Sequence, residues 1–351
     1  MKLINCIVSA ACVAILSGCS TSEVIDDVKN EKTVIGFDTH MNKNSRALAN
    51  SNFKSFLVYG TYTASTSSQP VQVFFGDRVN KGTDGIWKCA TTRYWTPDNT
   101  YDFYAYSCEN EDIDLSETGH AVMNGKFLNL LEYTVSQAHC DHDLVYATAL
   151  GEKRPAHQDN VTPDPVSLQF KHILTRLKFT FTSEIPGEEY TVKVSNVKIV
   201  NFRNTGDFLG STQSWTHQSR PEGVRPSLTL TIPNGGVIQS PENGKAKRVS
   251  VSTEPVYMIP FVYTDANVQV EFDFTIQAPD SNNQLQTVMS QHITATWQPN
   301  WLKGYSVNNK ITLTGNDTGM DAISFTGSII TDAEDGWIGS SNDPHFTFQT
   351  K

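Results

Sequence analysis

Thr96-Pro97-Asp98-Asn99, followed by Tyr101-Asp102-Phe103-Tyr104-Ala105-Tyr106, is the stretch that decides the fold class. The first four residues favour a turn. The side chains of the residues after them would point to alternate faces of a strand, with Tyr101, Phe103 and Ala105 on one face. Aromatic side chains in this pattern are typical of a sandwich core, although they could also form a platform for sugar rings. The residues open to both interpretations are Trp87, Tyr94, Trp95, Tyr101, Phe103, Tyr104, Tyr106, Trp297 and Trp301.

The same strand-and-turn pattern continues along most of the chain. Clusters of Gly, Pro, Asn and Asp separate short runs of β-branched and aromatic residues. Strands are predicted at 53–59, 71–75, 101–106, 144–149, 170–181, 192–200, 227–232, 256–262, 268–276, 292–297, 305–313 and 322–330. Residues 201–226 and 235–248 are predicted to be polar loops. Regular short strands with turns between them indicate an all-β sandwich or barrel rather than βαβ units.

Length and charge narrow the class of protein. The chain has 351 residues, which suits two domains, and a break near 183–187 predicts a boundary between residues 184 and 185. Its net charge is −10. An acidic surface argues against binding to nucleic acid or to anionic lipid headgroups.

The N-terminus has the pattern of an export signal. Lys2 and an apolar run over residues 3–16 lead into Leu16-Ser17-Gly18-Cys19. The run is shorter than the roughly 20 residues of a membrane span, whereas a basic start, a short apolar segment and small residues at a cut site are typical of a secretory signal. The cysteine predicts a lipoprotein signal over residues 1–18 and a lipid on Cys19. An ordinary signal peptide with a chance cysteine is the alternative.

Residues 19–46 differ from the body of the chain. Residues 20–32 are polar and acidic, which predicts a flexible tether. Residues 34–39 predict an edge strand with Ile35 and Phe37 on one face. A polar stretch that contains Arg46 and Ala47 follows.

Cysteines and potential metal ligands give weak signals. Besides Cys19, the mature chain has Cys89, Cys108 and Cys140. A Cys89–Cys108 disulfide and three small buried side chains are both consistent with an exported protein. The residues of His139-Cys140-Asp141-His142-Asp143 would point to both faces of a strand, whereas zinc needs three or four converging ligands. A solvated turn is therefore favoured there, and no metal or cofactor is expected.

Sequence motifs for catalysis are missing. The chain has no dinucleotide or P-loop glycine pattern, no Gly-x-Ser-x-Gly, no His-Glu-x-x-His and no calcium loop. We therefore expect no catalytic residues and no enzyme. A hydrolase would have only scattered carboxylates to act with.

Several stretches together resemble the fimbrillin superfamily, the subunits of type V pili in Bacteroides-type bacteria, and most closely its minor-fimbrillin-like branch. They are the lipoprotein signal with its acidic tether, residues 34–39 with Ser45-Arg46-Ala47, Trp87 with Tyr94-Trp95-Thr96-Pro97 and residues 101–106, residues 170–179, and Trp301-Leu302-Lys303-Gly304-Tyr305 leading into residues 311–313. They span most of the mature chain in the order and spacing of that family.

The resemblance implies a fold and a route of assembly. It implies two transthyretin-like Greek-key β-sandwich domains, here residues 47–184 and 185–351. It also implies transport to the outer membrane as a lipoprotein, and removal of the first strand by an arginine-specific protease, here after Arg46. A strand from a neighbouring subunit would then fill the gap. An uncut polar loop is the alternative for Arg46.

The strand to be donated is less clear in this sequence. Residues 345–349 are a short candidate with Phe346 and Phe348 on one face. If that strand stays packed on its own subunit, the protein would cap a fibre as a tip or would not polymerise.

The sequence thus predicts a non-enzymatic pilus subunit, first lipid-anchored in the outer membrane and then part of an extracellular fimbrium. Its partners would be other pilin subunits, the processing protease and a host or bacterial surface ligand. The alternative function is a permanently anchored outer-membrane lipoprotein that binds glycans or other surface ligands, suggested by the aromatic content and by the long loops around Trp215 and Gly235.

Overall fold

The computed structural model describes residues 32–41, 53–108, 115, 120–155, 164–217, 224–264, 268–316, 319–331, 337–339 and 347–350. The first half of the chain forms β1 (Phe37–Met41), β2 (Ser55–Ala64), β3 (Pro70–Lys81), β4 (Trp87–Cys89), β5 (Asn99–Cys108), β6 (His120–Asn124), β7 (Phe127–Thr134), β8 (Leu144–Lys153), β9 (Val166–His172) and β10 (Thr175–Glu184).

The second half is built in the same way. It forms β11 (Thr191–Val200), β12 (Thr205–Leu209), β13 (Ser214–His217), β14 (Ser227–Thr229), β15 (Val237–Glu242), β16 (Lys245–Arg248), β17 (Val251–Ser252), β18 (Val256–Met258), β19 (Phe261–Val262), β20 (Val268–Pro279), β21 (Leu285–Trp297), β22 (Asn300–Trp301), β23 (Tyr305–Asn316), β24 (Gly319–Thr331), β25 (Ile338–Gly339) and β26 (Thr347–Thr350). A single 3-10 turn at Asn234–Gly236 is the one helical element of the described residues. The predicted all-β class is confirmed.

Five sheets organise these strands. A seven-stranded sheet has the order β1-β9-β8-β5-β2-β3-β4, and a second has β17-β10-β23-β24 with β18 beside β10 and β25 beside β23. A third has the order β16-β15-β11-β20-β21-β26 with β14 beside β11. A four-stranded sheet β13-β12-β7-β6 and the pair β19-β22 complete the set. The Greek-key connectivity of the transthyretin type remains a prediction.

Two hydrophobic cores lie between the sheets. One, here called the aromatic core, takes its side chains from residues 35–170, and the other, here called the large core, takes them from residues 104–337. Strand β5 contributes to both, because Tyr101, Phe103 and Ala105 pack in the aromatic core while Tyr104 and Tyr106 pack in the large core.

The interpretation of the aromatic residues as core is confirmed for all but one of them. Tyr94 is 43% exposed, and the other eight are buried. A strand buried on both faces explains why Tyr104 and Tyr106 occur where a half-exposed strand would carry polar residues.

Several sequence predictions need correction. The two predicted polar loops contain β12 and β13, and β15 and β16. Most of their polar side chains are exposed or partly exposed, although Gln239 is buried, so composition alone did not reveal strands. Residues 170–181 form two strands rather than one, with Ile173 and Leu174 between β9 and β10.

The suggested Cys89–Cys108 disulfide is wrong, because in the described part of the chain Cys89, Cys108 and Cys140 form no disulfide. Cys89 lies on β4 and Cys108 on β5, and β2 and β3 lie between those strands. Three strand spacings of about 4.8 Å exceed the ~7 Å Cα separation that a disulfide tolerates.

The proposed division between residues 184 and 185 stays a prediction. Two strands that precede this boundary pair with strands that follow it. Strand β7 pairs with β12, and β10 pairs with β17, β18 and β23.

Candidate functional site

Residues 33–41, here called the N-terminal segment, close the first sheet. Strand β1 pairs in parallel with β9, with Phe37 opposite Val166 and Met41 opposite Phe170. β1 lies at the edge of the sheet order, where the loss of one strand leaves the other pairings intact. The sequence predicted this strand at 34–39. The regular part starts at Phe37, and Val34 forms an isolated antiparallel bridge with Tyr94.

On the side away from β9, the start of the N-terminal segment forms backbone hydrogen bonds with residues 93–95. The Ile35 amide donates to the Arg93 carbonyl over 2.9 Å, and the Trp95 amide donates to the Thr33 carbonyl over 2.9 Å. The Val166 amide donates to the Gly36 carbonyl over 2.8 Å. The N-terminal segment therefore bridges β9 and residues 93–95.

Side chains of the N-terminal segment alternate between the aromatic core and solvent. Ile35 is 2% exposed and Phe37 is 4% exposed, whereas Val34 is 51% exposed. The prediction that Ile35 and Phe37 share one buried face is confirmed. Burying a side chain of this size stabilises a fold by about 1.5–3 kcal/mol.

The Phe37 ring lies among three other phenylalanine rings. Its centroid is 5.3 Å from that of Phe74, 5.4 Å from that of Phe103 and 6.4 Å from that of Phe56. The interplanar angles of 74°, 85° and 89° are edge-to-face arrangements, which aromatic pairs favour. These three rings line the place that Phe37 fills.

A side-chain hydrogen bond also fixes the first residue of the N-terminal segment. The guanidinium group of Arg154 donates to the Thr33 hydroxyl through Nε over 3.3 Å and through Nη2 over 3.2 Å. Sequence reasoning named Tyr94 and Trp95 as aromatic candidates, but it placed neither residues 93–95 nor Arg154 against the N-terminal segment. Both lie far from the N-terminal segment in sequence, and no local pattern marks them.

The surroundings of the N-terminal segment, here called the groove, have the features of a strand-binding site. They comprise the outer edge of β9, the carbonyl and amide groups of residues 93–95, and the wall formed by Phe56, Phe74 and Phe103. Without its strand, the groove would expose unpaired backbone groups and an apolar pocket. An extended peptide can restore both.

The C-terminal strand lies at another edge. β26 pairs with β21, with Phe348 opposite Ala295 and Thr350 opposite Ile293. Phe348 is partly buried against the large core. The other predicted site residues, Cys19, Arg46, Ala47 and Phe346, lie outside the described residues.

The residues weighed as metal ligands do not converge. Cys140 is buried in the large core, and its burial raises the pKa of the thiol. Asp143 is bonded to His172. Among the residues that the structure describes, no group of three or more His, Cys, Asp or Glu is placed to hold a metal ion.

Trp215 is poorly placed to bind a sugar ring. Its indole nitrogen donates to the Ile173 carbonyl over 2.6 Å, and its ring packs against Tyr133 and Phe208. A polar cavity of about 550 Å³ lies elsewhere, lined by Gln137, Cys140, Asp141, Thr229, Thr231, Glu254, Pro255, Val256 and Tyr257.

In the described part of the chain, no helix is long and apolar enough to span a membrane. This holds for 32–41 and the described ranges after it. The predicted signal at residues 1–18 lies outside them.

A family comparison identifies the class of protein. The model of the fimbrillin-like family matches residues 45–332, which is most of the chain. This chain belongs to the fimbrillin-like family. No curated protein matches it. Membership places this chain among fimbrial surface proteins, which are a structural class.

Solved structures similar to this fimbrillin-like chain include proteins from Bacteroides species and from Porphyromonas gingivalis. A candidate cell adhesion protein from Bacteroides uniformis has 15% identity and a TM-score of 0.44, covering 86% of this chain and 97% of its own. One from Bacteroides ovatus has 13% identity and a TM-score of 0.45, with coverages of 88% and 99%. The fimbrial anchor protein Mfa2 from Porphyromonas gingivalis has 10% identity and a TM-score of 0.32, with coverages of 89% and 100%. At these TM-scores, the structural similarity is too low to support a conclusion about this chain. The family assignment therefore rests on the family model alone.

Proposed function

We propose that this fimbrillin-like chain is a pilus subunit that is exported as a lipoprotein through Cys19, cleaved after Arg46 and assembled by donor-strand exchange. The observation that carries the proposal is the N-terminal segment. It occupies a groove with its backbone bonded on two sides and with Ile35 and Phe37 in the aromatic core. By sequence, Arg46 lies between this segment and the body of the chain.

Cleavage after Arg46 removes the covalent link that keeps the N-terminal segment in its groove. The lipid, the tether and β1 are then one separate peptide, and β1 has only non-covalent contacts with β9 and residues 93–95. A strand from a neighbouring subunit replaces it by β-augmentation. Such a strand restores the backbone pairing of β9 and fills the places of Ile35 and Phe37.

The partners follow from this route. They are an arginine-specific protease, the outer membrane through the lipid on Cys19, and other pilin subunits in an extracellular fimbrium. The division into sandwich domains at 47–184 and 185–351 belongs to the same proposal. Phe346 and Phe348 belong to the candidate donor strand, and a surface ligand of the host or of another bacterium is the expected target of adhesion.

The decisive experiment is an Arg46→Ala substitution in the native cell. The variant is expected to remain a lipid-anchored precursor that begins at Cys19, whereas wild-type subunits recovered from the surface begin at Ala47. Intact mass gives the first residue, and electron microscopy shows the fibres. Lys43→Ala is the matched control, because it removes a nearby cation that an arginine-specific protease does not recognise. Normal fibres from the Arg46→Ala variant would contradict the proposal.

A second function has one feature in its favour. The polar cavity beside Tyr257 offers carboxylate, amide and hydroxyl groups of the kind that bind sugar hydroxyls. A permanently anchored glycan-binding lipoprotein would use it, and would be recovered with acylated Cys19 and nothing shorter. Glycan binding that is lost on Glu254→Ala, with Arg46 uncut in cells, would favour this second function.

A further inference from the structure

Trp337 is a buried aromatic side chain in the C-terminal part of the chain. It is 3% exposed and follows β24, directly before β25. Its ring stacks on the imidazole of His172, with centroids 4.0 Å apart and planes 26° apart. The Tyr257 ring lies 5.8 Å from it. The Trp337 ring therefore lies between His172 at the end of β9 and Tyr257 on β18.

The His172 ring is held in a fixed orientation beneath Trp337. Its Nδ1 lies 2.5 Å from Oδ2 of Asp143, and both side chains are buried. The other carboxylate oxygen of Asp143 accepts the Leu144 amide over 2.7 Å. The imidazole therefore presents its flat face to the indole.

Backbone contacts beside Trp337 complete its attachment. The Ile338 amide donates to the Gly304 carbonyl over 3.0 Å, and β25 pairs with β23 through Tyr305 and Ile338. Gly304 has a φ of 76°, a conformation that favours glycine, and its amide donates to the Leu174 carbonyl over 2.8 Å. We call this set, namely Trp337, His172, Asp143 and Tyr257 with the Gly304 turn, the Trp337 anchor.

Strand β26, which is the described part of the chain after Gly339, is held less firmly than the Trp337 anchor. β26 has four residues, lies at the edge of its sheet, pairs only with β21 and contributes the partly buried Phe348. Strands of this kind open at low free energy, because few apolar contacts close them. In the described residues after β24, the firmly packed Trp337 anchor is thus followed by the weakly held β26.

The anchor also contacts the strand that forms the groove. β9 pairs with the N-terminal segment as far as Phe170, and His172 is two residues further along the same strand. A shift of β9 on loss of its partner would therefore move the imidazole on which Trp337 stacks. One strand thus forms the groove wall and supports the anchor.

We propose that the Trp337 anchor couples the groove to the C-terminal strand, so that loss of the N-terminal segment loosens the chain beyond Gly339. The inference rests on the proposed function, because it assigns to Trp337 the control of when the candidate donor strand is released.

Hydrogen exchange followed by mass spectrometry tests the coupling in the uncleaved Arg46→Ala chain. Trp337→Ala is expected to speed amide exchange at 347–350 by roughly tenfold, whereas Trp337→Phe keeps an aromatic ring on His172 and stays near the parent rate. Ile338→Ala is the matched control, because the neighbouring Ile338 side chain is 54% exposed. Exchange in β20 reports on the whole fold and is expected to stay constant. Unchanged exchange at 347–350 in Trp337→Ala would overturn the anchor.

A double substitution isolates the link to the groove. Phe37→Ala weakens the N-terminal segment and is expected to speed exchange at 347–350 when Trp337 is present, but to add nothing in the Trp337→Ala background. Equal effects of Phe37→Ala in both backgrounds would overturn the coupling. These measurements need neither cleavage nor assembly, so they are distinguishable from a failure of the proposed function, which fibre formation reports.

Discussion

Phe37 is the residue whose contacts hold the N-terminal segment in its groove. It fills the space between Phe56, Phe74 and Phe103, and its neighbour Val34 faces solvent. Removal of a buried phenylalanine loses the transfer free energy of the ring and leaves a cavity. Removal of an exposed valine does neither.

At this scale, Phe37→Ala is expected to lower the free energy of unfolding of the uncleaved chain by about 3–5 kcal/mol. Val34→Ala on the same segment should change it by no more than about 0.5 kcal/mol. Urea unfolding of both variants in the Arg46→Ala background gives the two values. Similar small effects for both substitutions would mean that the aromatic core does not depend on this strand.

At the scale of the element, the N-terminal segment is expected to act as a separate peptide. A synthetic peptide of residues 33–41 should bind the cleaved subunit and suppress fibre growth, because it carries the backbone groups and both side chains that fill the groove. The Phe37→Ala peptide should bind about 100-fold more weakly. A Val34→Ala peptide should act like the parent, and fluorescence anisotropy of labelled peptides measures the affinities.

Equal inhibition by the parent and Phe37→Ala peptides would show that backbone pairing alone decides binding. No inhibition by any of them, with fibres still forming, would show that the groove does not receive the incoming strand.

The strands differ in how far sequence could predict them. Alternation identified β5 and the buried pair Ile35 and Phe37, because each is a local pattern of period two. The pairing of β1 with β9 joins residues over a hundred positions apart, and no local pattern encodes such a contact. Asp143 appeared in a run of metal-ligand residue types, yet its hydrogen-bond partner is His172, at the end of β9.

The hairpins β12–β13 and β15–β16 were missed for a different reason. They lie in polar stretches that also contain glycine and proline, and composition of this kind is shared by loops and by exposed hairpins. Only their neighbours β7 and β11 show that they complete sheets.

At the scale of the whole molecule, the large core takes side chains from both halves of the sequence, from Tyr104 to Trp337. Strand β10 lies before residue 185, yet its partners β17, β18 and β23 all come after it. Neither half could close this core or satisfy the backbone groups of β10 by itself.

We therefore expect the uncleaved chain to unfold in one cooperative transition although the proposal divides it into two sandwich domains. Calorimetry of the Arg46→Ala chain should give a calorimetric enthalpy equal to the van't Hoff enthalpy. Leu177→Ala on β10 should shift the whole transition to lower temperature, because this side chain is fully buried in the shared core. Thr182 on the same strand is partly exposed, and Thr182→Ala serves as the control. Two resolved transitions, of which Leu177→Ala moved only one, would show that the domains fold independently and that β10 belongs to one of them alone.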